Sequence, residues 1–141
     1  MLTDSDILRR DQRKPTFRLV PPTDWRVILR TRANVLVIGP KEALAAFLQS
    51  ARSEMRDPVR TSGPTLAPFL DGVRTLILTD VDALASTDQR RLRRWFDDRR
   101  TADVQIISLT SEPLYSLVSA NAFDAQLYYR LNTVVLELQT A

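Results

Sequence analysis

Any chemistry in this sequence has to come from carboxylates, hydroxyls, arginines and two lysines, Lys14 and Lys41, because it contains no histidine and no cysteine. That composition excludes disulfides, thiolate zinc sites, Cys or Ser–His nucleophile pairs and imidazole general bases. Three places remain where residue type and spacing point to something specific. At Gly39-Pro40-Lys41-Glu42 a glycine ends an apolar run and a lysine opens a helical pattern, the setting in which helix amides and a cation attract an anion. Cradling phosphates takes several consecutive N–H groups at unusual dihedrals, and Pro40 offers none. The residues therefore predict either a weak anion site without nucleotide specificity or a plain tight turn. At Thr79-Asp80-Val81-Asp82, acids follow directly on another apolar run, where a carboxylate usually caps a helix or sits in a solvated loop.

The third place is basic. Arg90, Arg91, Arg93, Arg94, Arg99 and Arg100 surround Trp95, and arginines with an aromatic could contact phosphates and stack on bases. At helical spacing, however, Arg90, Arg93 and Arg94 share a face, Arg91 turns away, Trp95 joins the apolar stripe, and Asp97, Asp98 and Asp103 offset part of the charge. A solvated helix face is expected here, and nucleic acid is not an expected partner.

The elements that must position these residues alternate. Asn34–Gly39, Arg74–Asp80, Val104–Leu109 and Thr133–Leu138 are apolar runs of the kind found in buried parallel strands, and Val59–Thr61 could add a short edge strand. Between them, Leu44, Phe47, Leu48, Ala51 and Met55 make one helical stripe that ends at Pro58. Ser86 or Thr87 is placed to cap a helix burying Leu92, Trp95 and Phe96, and Leu114, Leu117 and Val118 suggest a short third helix. Strands alternating with helices predict the α/β class: a three-layer αβα sandwich around a mostly parallel five-stranded sheet. Residues 1–32, broken by Pro15 and Pro21-Pro22, read as a partly irregular arm with a short helix from Thr3 or Ser5 through Lys14. Residues 33–141 read as a single core.

Composition sets outer bounds. With 141 residues, 44% hydrophobic and 26% charged, one globular domain is expected, and a net charge of +3 is a weak partner signal. The N-terminus lacks a basic start followed by an apolar stretch, and no run approaches the roughly 18 apolar residues that span a bilayer. A cytoplasmic location without membrane association is the expectation.

From Thr75 onward the residues are ordered in a recognisable way. Thr75, Leu76, Leu78, Val81, Leu84, Gln89, Leu92 and Arg94 fall at the spacings of one block, Val104, Ile106, Ile107 and Thr110 form a second, and Leu127-Tyr128-Tyr129-Arg130-Leu131-Asn132 is a third and most specific string. Together they resemble the AAA+ core of bacterial sigma-54-dependent transcription activators, with a fainter likeness from Val35 to Ala51. The resemblance implies an AAA+, P-loop NTPase-like fold and, in an intact member, ATP and magnesium as cofactors.

Compared with that family, the chemical positions differ. The Gly-Thr-Gly that precedes the Lys-Glu pair is missing, leaving Gly39, Lys41 and Glu42 as remnants of a phosphate loop. The Asp-Glu pair that holds magnesium and orients water reads Thr79-Asp80, with Asp80 the remaining candidate acid. The sensor asparagine falls at Ser111, and an arginine acting in trans is replaced by Asp124. Arg130 matches a second arginine of that region and either faces a neighbouring subunit or pairs on its own surface.

The stretch between Lys41 and Thr75 is too short for the family's Gly-Ala-Phe-Thr-Gly-Ala contact loop, so direct sigma-54 contact is not expected. The chain ends before the family's lid, which is expected to be absent. The implied protein is a degenerate, non-hydrolysing module acting in transcription regulation or protein interaction. Its expected partner is a protein, either a second copy or an intact AAA+ activator, with ATP binding weak or lost and no metal site. The alternative is a minimal ATP-binding NTPase completed by oligomerisation.

Overall fold

A computed structural model describes residues 22–68, 70–98 and 101–138. Five strands, β1 (Val35–Ile38), β2 (Val59–Ser62), β3 (Thr75–Leu78), β4 (Gln105–Thr110) and β5 (Val134–Glu137), form one sheet in the order β2-β3-β4-β1-β5. Every pairing is parallel. Parallel strands are buried on both faces, which accounts for their continuous apolar runs and for a β4 buried along its whole length. The edge strand expected at Val59 is present and extends to Ser62.

Alternating side chains divide the core into two layers. On one face Val35, Val37, Ile107 and Leu136 meet helices α1 (Pro22–Arg30) and α2 (Lys41–Ala51) through Trp25, Leu29, Leu44, Phe47 and Ala51. On the other, Leu36, Leu76, Leu78 and Ile106 meet α3 (Ser86–Phe96), α4 (Leu114–Ser119) and α5 (Ala125–Leu131) through Leu92, Leu114, Leu127 and Leu131. The result is the three-layer αβα sandwich that alternation predicts. Among the described residues no helix is long and apolar enough to cross a membrane.

The boundary at residue 32 needs correction. Pro22–Arg30 is helical, and Trp25 and Leu29 are buried in the first core layer, with the Trp25 and Phe47 rings 5.3 Å apart. The proline read as a breaker stands at the first helical position, where the missing N–H costs nothing. The expected helix between Thr3 and Lys14 lies outside the described residues.

The β2–β3 connection differs from the others. Residues 63–74 contain no helix among those described, and the segment instead buries Leu66, Leu70 and Val73. It is tied to α3, since Asp88 accepts from the Leu66 N–H at 3.1 Å and Arg91 donates to the carbonyls of Leu66 and Ala67. Gly63, at φ +134°, passes so close to β3 that a Cβ would fall 2.2 Å from the Thr79 carbonyl oxygen. Only glycine fits there.

Candidate functional site

In open parallel sheets ligands bind outside the carboxyl ends of the strands. The fold brings Gly39-Pro40-Lys41-Glu42, Thr79-Asp80 and Ser111 to that edge, at the ends of β1, β3 and β4. Asp124 and Arg130 belong instead to the α3–α5 helical layer.

Between β1 and α2 lie only Gly39 and Pro40. The Gly39 N–H donates to the Thr110 carbonyl at 3.1 Å, which spends it on the β1–β4 ladder. A Cβ at Gly39 would sit 2.9 Å from Cβ of Leu138, so the glycine is required by the close passage of β5's end. Pro40 is the extended N-cap of α2, gives no side-chain cap, and its carbonyl accepts the first helical bond from Leu44 at 2.9 Å. The amides left over are those of the first helical turn, Lys41 to Ala43. Lys41 and Glu42 are both exposed. This is a plain βα turn, and its geometry does not fit a triphosphate, which needs a loop of inward-turned amides.

The acids at the end of β3 are equally separated in role. Thr79 donates its N–H to the Ser62 carbonyl at 2.9 Å, extending the β2–β3 ladder. Asp80 is exposed and left-handed, φ 49° and ψ 48°, a conformation aspartate tolerates better than most residues. Its carbonyl accepts from the Ala83 N–H at 2.9 Å, closing the short 3-10 turn Val81–Ala83. Asp82 turns toward β4 and accepts from the Thr110 hydroxyl at 2.9 Å. The Glu112 carbonyl, at 2.8 Å, shares that single hydroxyl proton with Asp82, and the hydroxyl oxygen accepts from the Glu112 N–H, so Asp82 and Glu112 together fix the exit of β4. Among the described residues no group of three or more acids, histidines or cysteines could hold a metal ion. Thr79-Asp80 does not supply the pair of carboxylates that magnesium and an oriented water require.

The helical layer is organised differently. Asp124 is the N-cap of α5: its Oδ1 accepts from the Leu127 N–H at 2.9 Å, and its Oδ2 stands 3.2 Å from Arg93. Arg130 donates to Asp97 at 2.8 Å and lies over the Phe96 ring at 5.5 Å. Within the chain, then, Arg130 pairs with a carboxylate of its own surface. Gln89, buried in α3, donates to the carbonyls of Leu84 and Ala122 and accepts from the Asp124 N–H at 2.8 Å. It ties the start of α3 to the start of α5.

Two ties were missed in the sequence. Asn34 donates to the Arg130 carbonyl at 3.0 Å and accepts from the Ile106 N–H at 2.9 Å, and Gln105 donates to the carbonyls of Leu29 and Ala33. A polar residue at the rim of an apolar strand run is the signal that could have found them. The expected caps at Ser86 or Thr87 do not form, since Ala85 takes the N-cap position of α3 without a side-chain bond.

The arginines of α3 disperse as helical spacing requires. Arg91 faces the 63–74 segment, Arg93 faces α5, and Arg90 and Arg94 point outward, while Arg99 and Arg100 lie outside the described residues.

The likeness to solved structures is in the fold. NtrX from Brucella abortus in complex with ADP superposes with a TM-score of 0.66 at 21% identity, covering 92% of this chain and 38% of that one. NtrX in complex with ATP gives 0.59 at 20%, covering 90% and 37%. The P-loop NTPase domain of the sigma-54 transport activator from E. coli gives 0.62 at 19%, covering 84% of this chain and 97% of that one. The chain thus spans well under half of the NtrX chains but nearly all of the isolated NTPase domain. No curated protein matches it. The sigma-54 interaction domain family matches residues 26–140, which include β1 to β5 and all but the first turn of α1, and the chain belongs to that family.

Proposed function

We propose that this protein is a degenerate sigma-54-activator-like AAA+ module that does not hydrolyse ATP, binds nucleotide weakly or not at all, and acts in transcription regulation through contact with another protein. The observation that carries this reading is the β1–α2 connection. It consists of Gly39 and Pro40 alone, with one N–H committed to Thr110 and the other missing. Exposed, left-handed Asp80 supports it, as does Asp82, which is occupied by Thr110. What remains at the carboxyl edge is a helix N-terminus with one lysine, enough to attract a small anion and too little to distinguish ATP from phosphate.

Titration with a fluorescent ATP analogue in magnesium tests this. The expected result is no saturable binding below about 1 mM, which corresponds to less than about 4 kcal/mol of affinity, and no phosphate release above the buffer rate. Submillimolar binding lost on Lys41→Ala would favour a minimal NTPase, completed by oligomerisation, over this reading.

A further inference from the structure

The α3–α5 layer pairs most of its described charges internally and leaves two arginines unpaired. Arg91 is spent on the carbonyls of Leu66 and Ala67, Arg93 on Asp124 and Gln126 at 3.2 and 3.1 Å, and Arg130 on Asp97. Arg90 and Arg94 are exposed, one turn apart on the outer crest of α3, and neither has a hydrogen bond or ion pair with a described residue. With Asp97 and Asp124 engaged by their own arginines, the surplus on this face is positive.

Beside Arg90 a groove of ≈ 320 Å³ opens between α3 and the connection from α4 to α5, lined among others by Arg90, Arg93, Val118, Asn121 and Phe123. Phe123 is buried in the core and Val118 packs against it, so the floor is apolar and fixed from beneath. Gln89 also lines the groove and is held by three hydrogen bonds, which makes this wall of the groove rigid.

The geometry points to a docking site for an acidic segment of a protein partner, with one apolar side chain over Phe123 and Val118 and carboxylates against Arg90 and Arg94. This rests on the protein-contact function proposed above and names the surface and the chemistry of the partner. Burial in the groove supplies most of the affinity, because exposed ion pairs contribute little each. The two guanidinium groups select acidic over neutral segments and speed the encounter. A nucleic acid fits this face less well, since a phosphate backbone calls for a continuous basic track, and Arg90 and Arg94 are two charges on a single helix crest.

The test is an NMR titration of the ¹⁵N-labelled protein with three probes: a synthetic peptide of alternating glutamate and leucine, the same peptide with glutamine for glutamate, and a short DNA duplex. The glutamate peptide is expected to shift the amides of residues 86–94 and 118–125, and the glutamine peptide to bind more weakly. The double variant Arg90→Glu, Arg94→Glu should weaken peptide binding about tenfold or more. Its thermal unfolding should be unchanged, because both side chains are exposed.

The proposal is overturned if the glutamate peptide causes no shifts at about 1 mM, if shifts map elsewhere, or if the glutamine peptide binds equally. It is also overturned if the double variant binds as well as the parent, or if the DNA produces these shifts and the peptide does not. ATP binding found in the titration above with peptide binding intact would remove the non-nucleotide reading alone, and the converse would remove this proposal alone.

Discussion

The carboxyl edge of the sheet and the α3–α5 layer belong to one family domain, yet the polar groups of the first serve separate turns and those of the second hold one another. At the edge, Gly39 serves the close passage of Leu138, Asp80 turns a loop and Asp82 serves the exit of β4. Lys41, Glu42 and Asp80 are all exposed. In the helical layer, Gln89, Asp124 and Arg93 form one connected network around the start of α5. The difference teaches that a family signature can persist because it packs and caps helices. Leu127 and Leu131 are fully buried, and that is sufficient reason for a string such as Leu127–Asn132 in this chain.

The comparison can be broken by substitutions whose effects should differ between the two regions. The largest effect is expected for Gln89→Ala, which leaves two carbonyls and the Asp124 N–H without their partner and opens a cavity. A loss of about 2–4 kcal/mol in denaturant unfolding is predicted, and a loss under about 0.5 kcal/mol would mean that the network does not hold α5. Asp124→Ala removes the cap of α5 and the partner of Arg93, for a predicted loss of about 1–2 kcal/mol. Lys41→Ala and Asp80→Asn at the carboxyl edge should each stay within about 0.5 kcal/mol. If those edge variants cost as much as Asp124→Ala, the two regions are not different in kind.

The smallest effect concerns Tyr128, which packs beside Tyr115 and Tyr129 in the same layer, with ring centroids 6.3 and 5.2 Å away. Burial pushes its phenol above the ordinary tyrosine range, partly opposed by a hydrogen bond with the Asn132 side chain. The folded protein therefore keeps this proton to higher pH than the unfolded chain. Above about pH 10 the folded state binds more protons, and stability falls as pH rises further toward the folded pKa. Tyr128→Phe should flatten that alkaline loss in melts recorded across the range, leaving near neutrality only the pH-independent cost of the lost Asn132 bond, about 1 kcal/mol. An unchanged alkaline slope would remove Tyr128 as its source.

Most of the frame was legible in the sequence because buried parallel strands leave runs that few other structures leave. Val35–Ile38 and Thr75–Leu78 lie within the runs that predicted them, and Gln105–Thr110 overruns its predicted run, Val104–Leu109, by one residue. Helix α1 was missed because a double proline reads as a stop in either direction, and only the Trp25–Leu29 spacing beyond it signals an inward face. Asn34 and Gln105 are marked in the sequence only as polar residues at the rim of apolar runs, and their partners, like those of Gln89, depend on which carbonyls the fold brings near. Asp124 shows a more instructive failure. Compared with the family it reads as a charge reversal at a lost arginine, whereas locally an aspartate before Ala125-Gln126-Leu127 is an ordinary N-cap. At the edge the missing glycines could be read directly, but the commitment of the Gly39 N–H to Thr110 needed coordinates.

Whether nucleotide binds at the carboxyl edge can be read at its own amides. In ¹⁵N spectra titrated with Mg·ATP, and separately with inorganic phosphate, a lost nucleotide site gives small non-saturating shifts at Lys41 and Glu42. These should be alike for the two anions, with the Gly39 amide unmoved and still protected from exchange by Thr110. Saturating shifts below about 1 mM ATP that include Gly39, exceed those with phosphate and vanish in Lys41→Ala would contradict it.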